Sequence, residues 1–388
     1  MRILFISFYY PPDIGPGSLR AKSIVDSLIR NGPSNIKIDV ITTMPNRYYS
    51  FNVSAPEEEI SSNVFVKRIC LPRHKNGLFD QAKAFVLFSL KLLKLIKKKK
   101  WDIIIVTSSR LMTASLAALV AKQKNAKLYI DIRDLFVDTM NSILAKKFFY
   151  LLMPLLYWLE KWTFRSANKL NVVSAGFLGY LKKITPNLTP SVYTNGVDNF
   201  FIKNYSLSKN INEKILILYT GNIGDGQGMH KIIPKAVREF KDMQFRLIGD
   251  GSARKLLINN PIIKSQNNIK ILNPVPRSKL IIEYMNADIL FLHLNNYKAF
   301  DKVLPSKIFE YAATNKPILA GVSGYAAKFL HENVKGVEIF DPCNLESMKV
   351  GLKKILIGPK IINRKDFCLR FSRIKIMNNL ANDIFSLS

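Results

Sequence analysis

Residues 214–228 read KILILYTGNIGDGQG: an unbroken aliphatic and aromatic run, then four glycines in eight residues (Gly221, Gly224, Gly226, Gly228). The apolar run does not alternate with polar residues, which is the mark of a strand covered on both faces, as in a parallel sheet. Glycines between such a strand and a helix let backbone N–H groups approach an anion. No Gly-Lys-Ser/Thr follows, so the loop is not a nucleoside-triphosphate P-loop.

Outward from this point the pattern repeats. In the second half, strands are expected at Ile215–Tyr219, Phe245–Ile248, Ile269–Leu272, Ile289–Leu294, Pro317–Ala320 and Val337–Phe340. The first half has matching runs at Arg2–Phe8, Ile36–Thr42, Val64–Ile69, Asp102–Thr107, Lys127–Ile132 and Leu170–Ser174, with helices such as Leu19–Arg30 and Leu111–Lys124 between them. Strands alternating with helices predict an α/β fold of two doubly wound Rossmann-like domains. The boundaries are 1–197 for the first, an Asn/Ser/Lys-rich linker at 198–213, 214–369 for the second, and a C-terminal helix over 370–388 that crosses back to the first domain. Ligands in such folds bind beyond the carboxyl ends of strands, here in a cleft between the domains.

Composition agrees. The chain has 388 residues, 48% hydrophobic and 11% aromatic, enough for two large cores. Cys70, Cys343 and Cys368 form no CxxC pair and there are only four histidines, so reduced thiols are expected and a Cys/His zinc site is not. Lys and Arg number 58 against 28 acids, a net charge of +30. The excess concentrates in residues 67–183, which hold 23 bases and 6 acids. Such a field draws nucleic acid, anionic lipid or phosphorylated substrates. Met1–Tyr10 is a short apolar run ended by Pro11–Pro12, without a basic region or cleavage site, and reads as a strand rather than a signal peptide. The longest uncharged apolar stretch, Phe148–Leu159, is 12 residues and contains Pro154, too short to span a bilayer.

Several loops carry candidate chemistry. Gly15-Pro16-Gly17-Ser18-Leu19-Arg20 follows the first strand; Arg20 stands where a dinucleotide fingerprint needs its third glycine, and Ile41-Thr42-Thr43 lacks the ribose-binding acid, so NAD is disfavoured. Gly15 and Gly17 serve either a tight turn or an anion at a helix start, with Arg20 beside them. Gly249-Asp250-Gly251 ends a strand on the same sheet edge as the 221–228 loop. Asp301-Lys302-Val-Leu304-Pro305-Ser-Lys307 leads into a helix with Pro305 at its first position and Leu304 at the cap, where leucine has no capping oxygen. An uncapped start with Lys307 in its first turn suits a diphosphate, and Glu310, three residues on, suits the vicinal hydroxyls of a ribose. The same spacing also describes a solvated Lys–Glu helix pair. At the end of another strand, Arg133 and Asp134 are placed to bind sugar or phosphate oxygens and to orient an acceptor hydroxyl. No Asp-x-Asp occurs, so no dicarboxylate metal grip is expected.

Two stretches suit a membrane surface. Residues 82–100 combine an apolar stripe through Phe85, Phe88, Leu92 and Leu95 with Lys97–Lys100, and residues 146–165 carry seven aromatics, Trp158 and Trp162 among them, flanked by basic residues.

The segments FYYPPDIGPGSLRA (8–21), YIDIRDLFVDT (129–139), NVVSAGF (171–177), YTNGVD (193–198), YTGNIGDGQG (219–228), RLIGDGS (246–252), VPRSKLIIEYMNADILFL (275–292) and LPSKIFEYAATNKPILAG (304–321) together resemble GT-B glycosyltransferases of family 4. GDGQG and KVLPSKIFEYAA are most similar to bacterial surface-polysaccharide N-acetylaminosugar transferases of the L-fucosamine type. The resemblance implies metal-independent transfer of a sugar from a UDP-sugar to a lipid-linked oligosaccharide, with no cofactor, at the inner face of the bacterial cytoplasmic membrane. Glu310 stands at the second glutamate of the family's Glu-x7-Glu motif; Lys302 occupies the first position with Asp301 beside it, and either of the two is a candidate replacement for that glutamate. Gly224, Gly226, Gln227, Gly249, Asp250 and Leu304 then belong to the donor site. Asn222 and Gln227 stand where the family often has Arg and Lys, which leaves diphosphate charge to Lys307, helix N–H groups, Arg254 and Arg277. Arg133 and Asp134 fall at the family's His-Asp. The competing readings are a non-catalytic UDP-sugar-binding partner subunit and a basic nucleic-acid-binding protein. The second is disfavoured because the basic runs interleave with apolar stretches rather than with exposed base-stacking aromatics.

Overall fold

The computed structural model describes residues 1–46, 53–72, 78–108, 110–143, 147–204 and 213–388. The chain divides into two units, the first made of Met1–Asn195 with Ile374–Ser388 and the second of Gly196–Arg373.

The first unit is built on eight strands: β1 (Arg2–Ile6), β2 (Lys37–Thr43), β3 (Glu58–Ser61), β4 (Val64–Ile69), β5 (Ile103–Ser108), β6 (Lys127–Ile132), β7 (Lys169–Val172) and β8 (Ser191–Val192). They lie in the order β3-β4-β2-β1-β5-β6-β7-β8, parallel except for the β3–β4 pair. The register sets Ile3 between Ile38 and Ile103, and Phe5 between Val40 and Ile105. Alternate residues of these strands meet the helix Pro16–Asn31 and the helix Arg373–Phe385, so that Ile24 and Leu28 share a core with Leu380 and Ile384. The C-terminal helix is held further by Asp383, which accepts from Tyr129 Oη at 2.9 Å and from Lys169 Nζ at 2.8 Å. The opposite sheet face carries the helices Leu78–Ile96, Leu111–Lys124 and Lys147–Arg165. Two strands were not readable in the sequence: β3 is a polar, wholly exposed edge strand and β8 is two residues long.

The second unit holds β9 (Ile215–Thr220), β10 (Met243–Ile248), β11 (Ile269–Leu272), β12 (Ile289–His293), β13 (Ile318–Gly321) and β14 (Val337–Phe340), all parallel, in the order β11-β10-β9-β12-β13-β14. Counted within the unit this is 3-2-1-4-5-6, with strand order reversing between β9 and β12; ligands of doubly wound sheets lie at the carboxyl ends there. In the first unit the reversal falls between β1 and β5. The fold is thus a two-domain, GT-B-like α/β fold with parallel sheets.

The expected linker differs in part. Asn199–Asn204 form a helix, and Val197 and Phe201 are buried in the core of the second unit, so 198–204 are packed structure; residues 205–212 lie outside the described residues. Apolar residues hidden in a polar, Asn-rich stretch produced that misreading. Val197 and Ser372 form a parallel bridge, pairing the two places where the chain passes between units.

The stripe expected to face a membrane along 82–100 also differs. Phe88 and Leu92 are fully buried against the sheet, Phe85 is half-buried, and only Leu95 is exposed. The hydrophobic stripe of that helix is core, as an i, i+4 row through Ala84, Phe88, Leu92 and Ile96 should be. Among the described residues no helix is long and apolar enough to cross a membrane.

Candidate functional site

In the second unit the chemistry gathers at the carboxyl end of β9. Thr220, its last residue, exchanges a hydrogen bond of 2.9 Å with Tyr284 Oη, and its backbone N–H donates to Tyr311 Oη at 3.0 Å. Tyr284 Oη lies 3.1 Å from Glu310 Oε2. Lys307 Nζ donates to the same oxygen at 2.7 Å and approaches Tyr284 Oη at 3.2 Å. Lys307 also runs along the start of the glycine loop: a side chain on Gly221 would meet Lys307 Cε at 3.8 Å. Lys307 and Glu310 therefore do form a pair, but one mostly withdrawn from water, with side chains 18% and 10% exposed.

Burial by itself would raise the Glu310 pKa; the charge and hydrogen bond of Lys307, then the charges of Arg373 and Arg277, hold it below its ordinary value. Glu310 is thus held as an anion by the cations around it. The Tyr284 phenol, fully buried beside Glu310, is pushed well above its usual pKa and stays protonated.

The glycine loop is closed by its own side chains. Gln227 Oε1 accepts from Asn222 Nδ2 at 2.7 Å and from the Gly224 N–H at 3.3 Å. Gln227, expected on the donor, therefore commits its oxygen to shaping the loop. Gly226 packs under the Phe300 ring, where a Cβ would come within 2.9 Å. Gly249 presses on the Gly221 carbonyl so closely that no Cβ fits, which joins the ends of β9 and β10. Asp250 accepts from the Gly251 N–H at 2.8 Å and its carbonyl from the Ile223 N–H at 2.9 Å. His293, at the end of β12, bonds the Gln227 carbonyl at 2.7 Å and accepts from the Cys343 N–H at 2.9 Å, so the proton sits on Nδ1. Burial holds its pKa down to about 4, which keeps it neutral.

The structure corrects the expected helix start and places the other donor-site candidates. The helix after Pro305 begins at Lys307, with Ser306 at its cap position and no side-chain capping bond, and it runs only to Ala312. Leu304 is not the cap: its side chain is in the core beside Ile308. Arg277 is not left to a phosphate, because Nη2 binds Asp198 at 2.6 Å with its guanidinium over Phe200 and Phe201. Asp301 is exposed and bonded to Ser323 Oγ at 2.6 Å, beside Lys302 in the turn Lys298–Lys302. Arg254 donates to Asn273 at 2.9 Å.

In the first unit, Gly15 (φ 154°) opens the helix Pro16–Asn31 without a side-chain cap. Gly17 faces Arg133, whose guanidinium a Cβ at 17 would strike. The structure thus brings Gly17 and Arg133, with Asp134 next in the chain, to the strand-order reversal. Arg110 joins them, a residue the sequence did not single out: it donates to Tyr9 Oη at 2.6 Å and stacks over Phe8 at 4.3 Å. Arg20 does not. It is buried, with Nε and Nη2 on the two oxygens of Asp131 at 2.7 Å each and further bonds to the Tyr193 and Thr194 carbonyls. Asp131 is invisible from solvent and also accepts from Thr107 and Asn171. Burial would raise its pKa; the Arg20 charge, then the Arg20 and Asn171 hydrogen bonds, lower it. The pair is a tie-rod of the fold, not an anion site.

Thr220, Tyr284, Tyr311, Arg373 and His293 are the residues sequence reasoning missed in the second unit. Only the family segment VPRSKLIIEYMNADILFL pointed near Tyr284, and nothing in it separates a site tyrosine from a core one.

The second unit thus sets a glycine loop and a mostly buried Lys–Glu pair at the strand-order reversal of a doubly wound sheet. Residues 202–367, most of the second unit, match the profile of glycosyl transferases group 1. Residues of the chain also match the Escherichia coli K12 glycosyl transferase WcaI, named for colanic acid biosynthesis, at 24% identity over 176 residues, 44% of this chain. The match spans 43% of that relative's length. Among solved structures, sucrose-phosphate synthase from Thermosynechococcus elongatus shares the fold with a TM-score of 0.75 and 14% identity, covering all of both chains. Anabaena HepE in complex with UDP-glucose aligns with a TM-score of 0.67 at 13% identity, over 100% of this chain and 99% of that one. WaaG, a glycosyltransferase of lipopolysaccharide biosynthesis, gives 0.61 at 12%, over 99% and 97%.

Proposed function

We propose that this protein is a glycosyltransferase that moves a sugar from a UDP-sugar to a hydroxyl of a lipid-linked oligosaccharide in O-antigen, lipopolysaccharide or capsule synthesis. The donor is a hexose or, more narrowly, an N-acetylated amino or deoxyamino sugar such as N-acetyl-L-fucosamine, and transfer is metal-independent. The reading rests above all on the Lys307–Glu310–Tyr284 cluster against Gly221, within the segment that matches the transferase family. The UDP complexes of HepE and the biosynthetic names of WcaI and WaaG support it in kind.

In this mechanism Glu310 accepts the ribose hydroxyls and Lys307, already leaning on the glycine loop, meets the diphosphate. Loop N–H groups share that charge. Catalysis comes from holding the donor and stabilising the departing diphosphate rather than from covalent chemistry by the protein. Arg133 and Asp134 bind and orient the acceptor hydroxyl. The lipid-linked acceptor places the protein at a membrane surface. Metal independence rests on the sequence, which contains no Asp-x-Asp.

The test is a thermal-shift titration with UDP, GDP and NAD on wild type and Glu310→Ala. A ligand at about 100 times its Kd adds roughly 2.7 kcal/mol, a clear shift in midpoint. A UDP-selective shift that vanishes in Glu310→Ala is expected. No shift with any nucleotide would remove the donor site and with it the proposed activity. A UDP shift without transfer or donor hydrolysis would instead establish the binding-only subunit.

A further inference from the structure

The glycine loop of the second unit is tied down by the chain that leaves β12. His293 Nδ1–H donates to the Gln227 carbonyl at 2.7 Å, and its Nε2 accepts from the Cys343 N–H at 2.9 Å. Two residues on, the Asn295 N–H donates to the Gly226 carbonyl and Asn295 Nδ2 to the Asp225 carbonyl, each at 2.9 Å. Tyr297 Oη adds a bond of 2.7 Å to the Asp225 carboxylate. The successive carbonyls of 225–227 are thus all fixed by His293 and Asn295. A trans peptide sends its N–H opposite to its C=O, so the Gly226 N–H points away from Asn295. The Gln227 and Gly228 N–H groups close a tight turn onto the Gly224 and Asp225 carbonyls, and the Gly226 N–H takes no part in it.

The imidazole occupies a slot shaped around it. His293 is buried, with its ring stacked 5.9 Å from Phe291 and tilted against Phe340 at 5.8 Å. Glycines on two sides leave the room: a Cβ at Gly321 on β13 would strike the ring, and one at Gly228 would lie 3.2 Å from it. Gly228 itself has φ 61° and stands at the start of the helix Met229–Glu239, so the peptide that His293 holds sets the entry of the chain into that helix. A slot between two phenylalanines takes an apolar ring at no polar cost; core packing alone does not ask for an imidazole whose two nitrogens must both find partners. The Cys343 N–H can only donate, so Nε2 must accept and the proton is fixed on Nδ1, toward the loop. Because burial keeps the ring neutral, it holds the loop without adding charge to it.

We infer that His293 is a positioning residue for the donor diphosphate: acting through the Gln227 carbonyl, it holds the 225–228 turn in the conformation that presents the loop N–H groups to the phosphates. Asn295, on the two preceding carbonyls, works to the same end. The inference rests on the proposed donor site and deepens it, separating Lys307 and Glu310, which meet the nucleotide, from a residue that never touches it and shapes the loop instead. The bond to Cys343 serves by choosing the tautomer; the bond to Gln227 carries the effect.

The experiment titrates UDP and, separately, uridine into the full chain by ligand-observed NMR, on wild type, His293→Phe, His293→Gln and His293→Asn. Phenylalanine fills the slot without a hydrogen bond. Glutamine puts its amide near the former Nε2 and asparagine near the former Nδ1, so asparagine alone can still donate to Gln227. The ratio of the uridine Kd to the UDP Kd within each variant reads what the diphosphate contributes, and a loss of stability by itself does not move it. His293→Phe and His293→Gln should weaken UDP about tenfold, the scale of one buried hydrogen bond, and leave uridine within about twofold. His293→Asn should recover most of the UDP loss. If His293→Phe does not fold, His293→Gln, which keeps the Cys343 bond, carries the same comparison. An unchanged ratio in the variants, a parallel loss of UDP and uridine, or an asparagine variant no better than glutamine overturns the inference. UDP binding by wild type with any of those results removes only the role of His293; no UDP binding by wild type removes the proposed donor site, and the inference with it.

Discussion

Each unit buries one acid–base pair near the carboxyl edge of its sheet, and the two pairs are finished differently. In the first, Asp131 and Arg20 are 0% and 2% exposed at the side chain, and both carboxylate oxygens carry donors from Arg20, Thr107 and Asn171. In the second, Lys307 and Tyr284 both bond the single oxygen Oε2 of Glu310, and the pair borders the glycine loop. A saturated buried pair has nothing left to offer a ligand and acts as a brace. A pair with its bonding concentrated on one oxygen and its lysine beside a glycine loop keeps capacity for one. Counting partners, rather than noting a buried charge, separates the two roles.

The sharpest way to break this contrast is to remove one partner from each pair. Arg20→Met leaves Asp131 buried without its counter-charge and should cost about 3–5 kcal/mol of stability in urea unfolding. A loss under about 1 kcal/mol would mean the pair is no brace. Lys307→Ala should instead lower transfer by about 10²–10³-fold, the scale of one lost transition-state donor, with a smaller effect on the melting midpoint. If turnover falls no further than in an exposed lysine variant such as Lys375→Ala, Lys307 does not touch the diphosphate.

A smaller effect comes from pH, and here the units have opposite signs. Burial pushes the Glu160 carboxyl up to about 7, against hydrogen bonds from Tyr180 and the Val137 N–H. Its folded pKa lies above the unfolded value of 4.5, so its contribution is whole below that pH and is lost as pH rises through about 7. His293 is the reverse: its folded pKa of about 4 lies below 6.5, so its contribution is whole above 6.5 and is lost as pH falls through about 4. Glu160→Gln should therefore gain stability relative to wild type between about pH 5 and pH 8, read by denaturant midpoints across that range. A constant difference across the range would show that Glu160 does not titrate there.

Much of the architecture was legible. Parallel strands buried on both faces must be continuous apolar runs, so twelve of them stood out, and the two missed were an exposed polar edge and a two-residue bridge, neither of which leaves an apolar signature. Part of the site was legible for a local reason: Lys307 and Glu310 are three residues apart, and a single helical turn puts them together. Arg20 and Asp131 are 111 residues apart, so nothing in either neighbourhood says they meet, and Arg20 read as an anion ligand. Leu304 failed for a related reason, since the helix start moved two residues and turned its side chain into the core.

What the sequence determined by itself is whatever depends on near neighbours along the chain: strand and helix positions, the glycine loop, the Lys307–Glu310 spacing and the basic field of the first half. Tertiary structure decided which charges are spent and which remain. Arg20 went to Asp131, Arg277 to Asp198, and Gln227 to its own loop, while Leu90, Leu119 and Trp158 stayed outside. The reason is physical: a buried ion or polar group must find partners wherever the fold brings them, and sequence distance does not limit that choice.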